Sequence, residues 1–382
     1  MYRPENPTPE PLADFPVANM AMRYSLFVPR LYNLCRFLGM ETGKIMPSRA
    51  FCSDESQGYP VILIAKHFGT FPFNHGQVGG VVATDRHGPH AHHGEDLVIV
   101  QASHVGYEPE TGTFGTYRRL QTRDQEASTS CGKICGVIDW YKAEYDFAQG
   151  QVLVHRGDGK ALITIDNQLL NQRRPEGLFL RLPNLVQHDA EGQPRYVASL
   201  STAKVFLAAD TLISRIGAES FSGDPTPIGS RLAPDLFYYR REVSSDEEGR
   251  GHLEQNLLRF MPLIVTAPSP PLTAAQINTQ IEFDRTYRTL VKEHAYQGKR
   301  LLFVSGLNID VSPSAGRVFP LTKFVPWAAY VQERGGTGRT LEQQDLMEHL
   351  REQSTENPDQ IDLEAAIHTM ERVKEVTLRL PT

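Results

Sequence analysis

Short runs of consecutive apolar residues recur along the chain and predict buried strands. The runs lack the apolar–polar alternation of a half-exposed strand, which suits strands buried on both faces, as in a parallel sheet. We interpret four of them as strands, at residues 60–65, 97–100, 152–154 and 301–304.

Other stretches repeat apolar residues every three or four positions, as amphipathic helices do. On this basis we predict helices over residues 19–40, 203–216 and 273–296, and Pro29 should kink or divide the first of them. Thr129 or Ser130 could cap a further helix that runs through Tyr141. Because strands and helices are mixed along the chain, we predict an α/β fold with a mainly parallel central sheet.

The pattern favours one large domain, because the apolar run at 301–304 has the same character as the earlier three. We expect this domain to span residues 19–330, with an irregular and partly mobile insertion over 217–270, where Pro and Gly cluster beside a charged run. The polar, proline-rich residues 1–18 are expected to form a mobile arm. Residues 331–382 are a charged tail in which Thr340 and Asp362 should cap two small helices.

Composition narrows the class of protein. The chain has 382 residues and a formal net charge of −6, whereas a nucleic-acid binder normally carries a basic excess. We find neither the pattern of a signal peptide nor an apolar segment of membrane-spanning length. Four cysteines are too few for a disulfide framework in a chain of this length. We therefore expect a cytoplasmic protein with reduced thiols and no membrane or nucleic-acid partner.

Cys52, His104 and Cys131 can be combined into one metal site. Two thiolates and one imidazole would neutralise Zn²⁺ and leave its fourth tetrahedral position open for water, as catalytic zinc sites do. Cys131 lies where a helix should begin, a position that favours the thiolate. Cys135 lies one turn later and is an alternative third ligand, although we favour Cys131 because it is nearer the helix start. The carboxylate of Asp54 could hold the water.

Three segments can be compared with a known family: CSDE at 52–55, LVIVQASHVGY at 97–107 and STSCGKICG at 128–136. They resemble the limiting-CO2-inducible B/C family, the theta class of proteins with a β-carbonic-anhydrase-like fold. Two further segments, GTFPFNHGQVGG at 69–80 and LLFVSGLNID at 301–310, look like the family's loop after the first strand and its last core strand.

The resemblance implies a zinc-dependent carbonic anhydrase that interconverts CO2 and bicarbonate by attack of a zinc-bound hydroxide. It implies that Cys52, His104 and Cys131 are the zinc ligands and that Asp54 orients the water. It also implies a central, mostly parallel sheet flanked by helices, a peripheral helical tail at the C-terminus, and a homodimer.

The sequence departs from the β-class pattern at one position. That pattern places an arginine two residues after the aspartate, where its charge keeps the carboxylate off the metal; this chain has Ser56 there. The arginine that pairs with Asp54 must then come from elsewhere, and Arg119 and Arg123 are our candidates.

Other interpretations remain at this point. A zinc deaminase also uses His and Cys ligands, but it needs a glutamate two residues after the histidine and a P-C-x-x-C pair, which His104 and Cys131 lack. A catalytically silent zinc-binding protein that acts as a scaffold would have the same ligands, and a metal-free α/β protein would have none. His67 or His75 could move protons at the site or simply make a buried hydrogen bond.

Overall fold

The computed structural model describes residues 14–82, 96–118, 127–243, 250–314, 320–335 and 338–374. The strands within these ranges are β1 (Met22–Arg23), β2 (Ile45–Ala50), β3 (Phe73–Asn74), β4 (Asp96–Glu108), β5 (Thr113–Phe114), β6 (Thr116–Arg118), β7 (Ala127–Thr129), β8 (Val152–Gly157), β9 (Lys160–Asp166), β10 (Gly177–Leu180), β11 (Tyr196–Ser199), β12 (Ala203–Leu207), β13 (Thr226–Pro227), β14 (Phe237–Arg240), β15 (Arg300–Val311), β16 (Leu321–Gln332) and β17 (Gly338–Leu341). The helices are α1 (Tyr24–Phe37), α2 (Gly58–Phe68), α3 (Gly132–Gln151), α4 (Asn167–Leu170), α5 (Leu182–Leu185), α6 (Asp210–Ile216), α7 (Arg250–Leu258), α8 (Met261–Thr266), α9 (Pro270–Lys292), α10 (Gln343–Glu352) and α11 (Leu363–Arg372).

The chain divides into two compact units, each assembled from separate segments. We call the first the parallel-sheet unit; it comprises Phe15–Pro109, Tyr117–Ala127 and Thr279–Thr382. The second is the antiparallel-sheet unit, whose described residues are Asp14 and those within Glu110–Thr116 and Ser128–Asn278.

The central sheet of the parallel-sheet unit has the strand order β1–β16–β15–β4–β2–β3. Its inner strands β15, β4, β2 and β3 are parallel to one another, whereas β16 runs antiparallel to β15. β1 and β17 both pair antiparallel with β16 at its outer edge. The predicted α/β class with a mostly parallel central sheet is therefore confirmed.

Strands β4 and β15 are apolar without alternation because both of their faces are covered. Val98 and Val100 of β4 contact one hydrophobic cluster, whereas Leu97 and Ile99 contact another. β15 follows the same rule from Leu301 onward. Successive side chains of a strand point to opposite faces of the sheet. A strand with a hydrophobic cluster on each face is therefore apolar at every position.

Helices cover each face of this sheet. α1, α2 and α10 supply the first cluster, and Phe27 of α1 stacks on Phe324 with ring centroids 4.1 Å apart. The C-terminal part of α9 covers the other face, where Phe283 stacks on Phe303 at 5.3 Å. Burial of such aromatic pairs supplies much of the free energy that orders the sheet.

The strand predicted at 60–65 is wrong, because these residues form most of helix α2. Pro60 lies in the first turn, where a missing N–H costs nothing, and Gly69 ends the helix with φ +76°. Within this run Pro60, Ile64 and Ala65 are buried, whereas Ile62 is exposed, as on a helix with one face against the core. A short apolar run without periodicity fits either element, and these end signals decide for the helix.

Two helix predictions need correction at their boundaries. Residues 203–216 contain strand β12 and then α6, so their first half was wrongly predicted as helix. The helix expected from Thr129 or Ser130 begins at Gly132, and Cys131 occupies the capping position without a side-chain cap. The helices predicted over 19–40 and 273–296 are confirmed in shorter form as α1, which contains Pro29, and α9.

The antiparallel-sheet unit contains a sheet in the order β11–β12–β9–β8–β13, with antiparallel pairing throughout. Two further antiparallel strands, β10 and β14, pair separately. Residues 152–154 do form a strand, β8, but it belongs to this sheet and not to the parallel one. A buried antiparallel strand and a buried parallel strand have the same local pattern, so the sequence could not separate them.

The C-terminal segment contributes to the parallel-sheet unit. Thr340 lies in β17 and caps no helix, whereas Asp362 accepts a hydrogen bond from the Ala365 N–H and caps α11 as predicted. Leu346 and Leu350 of α10 are fully buried in the first cluster, so only α11 is peripheral. Among the described residues, no helix has both the length and the apolar character that a membrane crossing requires.

Candidate metal site

The carboxyl ends of neighbouring parallel strands carry the polar residues of the candidate site. Cys52 follows the last residue of β2, Ala50, which is level with Gln101 of β4. His104 lies farther along β4, level with Asn308 of β15. Sites in open α/β sheets gather at this edge, because strand ends and the following loops converge there.

The structure brings Cys52, His104 and Cys131 together. Each offers one ligand atom, and these atoms all lie within 4.8 Å of one another. All are buried, with exposed fractions of 3%, 0% and 1%. Such a buried group could bind a metal ion.

The donor set fits zinc. Around a tetrahedral Zn²⁺ with thiolate and imidazole ligands, the ligand atoms are roughly 3.5–3.8 Å apart, so only a small contraction is needed. Cys131 precedes α3 directly, as the residue at its N-terminal cap. Cys135 is not part of the group; its Sγ lies 3.9 Å from the Gly115 carbonyl oxygen within the first turn of α3.

A carboxylate holds the ring of His104. The Nδ1 atom of His104 lies 2.8 Å from Oδ2 of Asp310, and both side chains are fully buried. Histidines that bind metals usually donate their second ring N–H to a carboxylate or a carbonyl, which fixes the ring and raises its basicity. With Nδ1 bonded to Asp310, Nε2 is the nitrogen that could serve as ligand.

A glycine-rich loop packs its backbone against Cys52. The N–H of Gly79 donates to the Cys52 Sγ at 3.2 Å, a contact that favours the thiolate. At Gly76 a Cβ atom would lie 2.1 Å from the Phe51 carbonyl oxygen, and at Gly80 one would lie 2.2 Å from that of Ala102. Only glycine allows so close an approach, which explains why this segment is glycine-rich.

Asp54 lies half-buried beside the cysteine, but it has a local structural role as well. Its Oδ1 accepts a hydrogen bond from the Ser56 N–H at 3.1 Å and caps a short 3₁₀ turn. Ser56, at the position of the β-class arginine, donates through its hydroxyl to Asp310 at 2.9 Å. Arg119 and Arg123, the candidate partners of Asp54, lie outside the described residues.

Sequence reasoning missed Asp310 and the residues that share its carboxylate. Gln57 donates from Nε2 to Oδ2 of Asp310 at 2.8 Å, and Thr322 donates to Oδ1 at 3.2 Å. The available signal was the segment at 301–310, where Asn308 and Asp310 interrupt an otherwise buried apolar strand. Buried polar residues in such a strand require partners, and these lie around His104.

His67, His75 and Cys35 are buried, and the two histidines make hydrogen bonds. His67 is buried, and burial lowers its pKa to about 4; it makes a hydrogen bond with Asn357 at 3.2 Å. His75 Nδ1 lies 2.8 Å from the Ser48 hydroxyl. Cys35 lies in the first hydrophobic cluster, where burial raises the pKa of its thiol.

Comparison with known proteins adds structural neighbours only. No family model matches the chain, and neither does any curated protein. The crystal structure of PtLCIB4, a homolog of the limiting CO2-inducible protein LCIB, matches with a TM-score of 0.48 and 12% identity over 85% of this chain and 95% of its own. LCIB itself matches with a TM-score of 0.43 and 13% identity over 85% of this chain and 95% of its own.

Proposed function

We propose that this protein is a zinc-dependent carbonic anhydrase that interconverts CO2 and bicarbonate. The observation that carries the proposal is the buried group of Cys52, His104 and Cys131, whose ligand atoms lie within 4.8 Å of one another. Three protein ligands suit a catalytic zinc, which keeps its fourth position for water. The motif resemblance over residues 50–140 supports the choice of reaction.

The residues around the group have separable roles. When bound, Zn²⁺ would lower the pKa of a coordinated water to about 7 and so supply a nucleophile at neutral pH. Cys52 and Cys131 would contribute two negative charges, and His104, held by Asp310, would contribute the neutral ligand. Asp54 would accept a hydrogen bond from the water and orient its lone pair towards CO2. CO2 is uncharged and needs no charged binding group.

The same resemblance supports further parts of the proposal. We infer that Arg119 or Arg123 pairs with Asp54 and keeps its carboxylate away from the metal. We also infer that the protein acts as a homodimer in the cytoplasm. Analytical ultracentrifugation tests the homodimer directly: sedimentation as a monomer at micromolar concentration would contradict it.

The test combines stopped-flow CO2 hydration with the zinc content of the same samples. Wild type should bind one zinc per chain and hydrate CO2, whereas Cys52→Ala should lose both because it removes a ligand. Cys135→Ala is the matched control, since it removes a buried thiol near Cys131 that is not part of the group; it should keep zinc and activity. Loss of zinc in Cys135→Ala but not in Cys131→Ala would reassign the third ligand.

Other outcomes separate the alternatives. One zinc per chain without CO2 hydration between pH 7 and 9 would contradict the enzyme and favour a silent zinc-binding scaffold. Purified protein that takes up no zinc would contradict the metal site itself.

A further inference from the structure

We propose that Asp310 is the positioning residue of the metal site and holds His104 in the tautomer that presents Nε2 to the metal, within a hydrogen-bond network that extends to Tyr24. The proposal rests on the proposed function for the presence of a metal. Its main claim, the tautomer of the His104 ring, concerns the metal-free protein. Asp310 is not one of the three candidate ligands, and its contact with the group is its bond to His104, so it would act through that ring.

The carboxylate of Asp310 accepts hydrogen bonds from every side. Its Oδ2 lies 2.8 Å from His104 Nδ1, 2.9 Å from the Ser56 hydroxyl and 2.8 Å from Gln57 Nε2. Its Oδ1 accepts from the Thr322 hydroxyl at 3.2 Å. A carboxylate offers acceptors only, so each of these neighbours must donate to it.

The direction of donation continues through two amides. Gln57 turns its NH2 group to Asp310, so its Oε1 faces away and accepts from Asn308 Nδ2 at 2.7 Å. Asn308 then presents Oδ1 to the Tyr24 hydroxyl, which donates at 2.8 Å. Burial raises the pKa of Tyr24 well above its ordinary value, so this hydroxyl keeps its proton. Reversal of the Gln57 amide would put its carbonyl oxygen against the Asp310 carboxylate, and reversal of Asn308 alone would put its Oδ1 against Oε1 of Gln57.

The consequence for His104 is a fixed tautomer. Its Nδ1 must carry the proton, because the Asp310 carboxylate 2.8 Å away can only accept. The NH2 group of Gln57 lies 3.3 Å from the same nitrogen and makes its shorter bond, at 2.8 Å, to Asp310. A neutral imidazole has one protonated nitrogen, so Nε2 keeps its lone pair for a metal. Asp310 thus selects the ligand atom before any metal binds. The members of the network come from α1, the 3₁₀ turn after Asp54, β4, β15 and β16.

The first measurement uses metal-free wild-type protein. Nitrogen-15 NMR of the imidazole rings, with His104 assigned through His104→Gln, reports which ring nitrogen carries the proton. We expect Nδ1–H at neutral pH. The opposite tautomer would overturn the proposal, and this result needs no variant that could fail to fold and no enzyme activity.

The second measurement is zinc affinity, determined by competition with a chelator. Asp310→Asn can turn its own NH2 group to Nδ1, which would move the proton to Nε2, so we expect a 10–100-fold loss of affinity. Thr322→Val is the matched control, because it removes a donor to the other carboxylate oxygen without touching His104; we expect less than a threefold change. Asp310→Asn with wild-type affinity and tautomer would overturn the proposal.

The two proposals fail in different ways. Zinc binding with the expected tautomer but without CO2 hydration contradicts the carbonic anhydrase and leaves the role of Asp310 confirmed. CO2 hydration in Asp310→Asn at unchanged zinc affinity contradicts the role of Asp310 and leaves the enzyme confirmed.

Discussion

Asn308 shows how a single amide can be fixed inside an apolar strand. It is fully buried in β15, and both ends of its side chain are used, by Tyr24 on one side and Gln57 on the other. A buried amide oxygen without its donor costs about 1–3 kcal/mol. Each residue in the network therefore affects stability apart from any effect on the metal.

Tyr24→Phe tests the hydrogen bond from Tyr24 to Asn308 separately from the rest of the network. The change removes only the hydroxyl that donates to Asn308, so the free energy of unfolding of the metal-free protein should fall by about 1–3 kcal/mol. Zinc affinity should change less than threefold, because His104 keeps its bond to Asp310. Urea unfolding measures the first effect, and Tyr196→Phe, at an exposed ring, is the control that should stay within about 0.5 kcal/mol. An unchanged stability would show that Asn308 finds another donor.

For single residues, the sequence predicts the candidate metal ligands better than the residues that hold those ligands in place. Cys52, His104 and Cys131 were proposed from ligand chemistry and motif resemblance, and the structure places them together; their role as zinc ligands stays a prediction. Asp310 could not be paired with His104 in advance, because 206 residues separate them in the chain. Their proximity comes from the parallel register of β4 and β15, which local patterns do not contain.

Among the elements, the glycine-rich loop at residues 69–80 approaches the backbone of neighbouring residues closely. Gly76 lies where a side chain would meet both the carbonyl oxygen and the nitrogen of Phe51, at 2.1 and 2.5 Å. A methyl group there cannot be accommodated by rotation of a neighbouring side chain, since the neighbour is backbone. The loop must then move away from the residue that precedes Cys52.

Gly76→Ala should therefore destabilise the protein by more than about 2 kcal/mol and weaken zinc binding as well. Gly58→Ala is the matched control, because Gly58 begins α2 with ordinary backbone angles and a Cβ there would meet nothing within 4 Å. That change should be neutral or stabilising by about 0.5–1 kcal/mol. Thermal unfolding and chelator competition measure the two quantities; equal behaviour of the variants would contradict the close approach.

Whether a short apolar run can be predicted correctly as strand or helix depends on the residues at its two ends. The runs at 97–100 and 301–304 were correctly predicted as strands because two covered faces leave no alternation. The run at 60–65 has the same pattern, but Pro60 lies in the first turn of α2 and Gly69 ends that helix. Short apolar runs must be assigned to strand or helix from the residues at their ends, because periodicity does not distinguish the two over so few residues.

The molecule as a whole combines a parallel and an antiparallel sheet in one chain. The α/β class was predictable from the mixture of patterns. The second sheet was not, because its strands are short and their antiparallel partners are set by pairing that local sequence does not reveal. The C-terminal residues were expected to be peripheral on account of their charge, yet α10 presents its apolar face to the core.

Global stability should depend on pH through His67. Burial, together with the neighbouring charge of Lys66, lowers the pKa of His67 from 6.5 to about 4, so the folded protein binds this proton later than the unfolded chain as pH falls. The stability due to the neutral ring is fully present above pH 6.5 and is lost between pH 6.5 and 4. The loss should reach up to about 3 kcal/mol.

Urea unfolding between pH 7 and 4 measures this dependence. His67→Gln should show a weaker pH dependence than wild type, because it removes the group that titrates differently in the two states. His368→Gln, at an exposed histidine on α11, should retain the wild-type dependence. Parallel curves for wild type and His67→Gln would contradict the assignment.

The shared register of β4 and β15 limits how this protein can evolve. The two strands pair without a shift from Arg300 and Asp96 to Val311 and Tyr107. One inserted or deleted residue before His104 or Asp310 would turn every later side chain of that strand to the opposite face and separate the pair. Related chains should therefore gain and lose residues outside these strands, while the distances from Asp96 to His104 and from Arg300 to Asp310 stay constant.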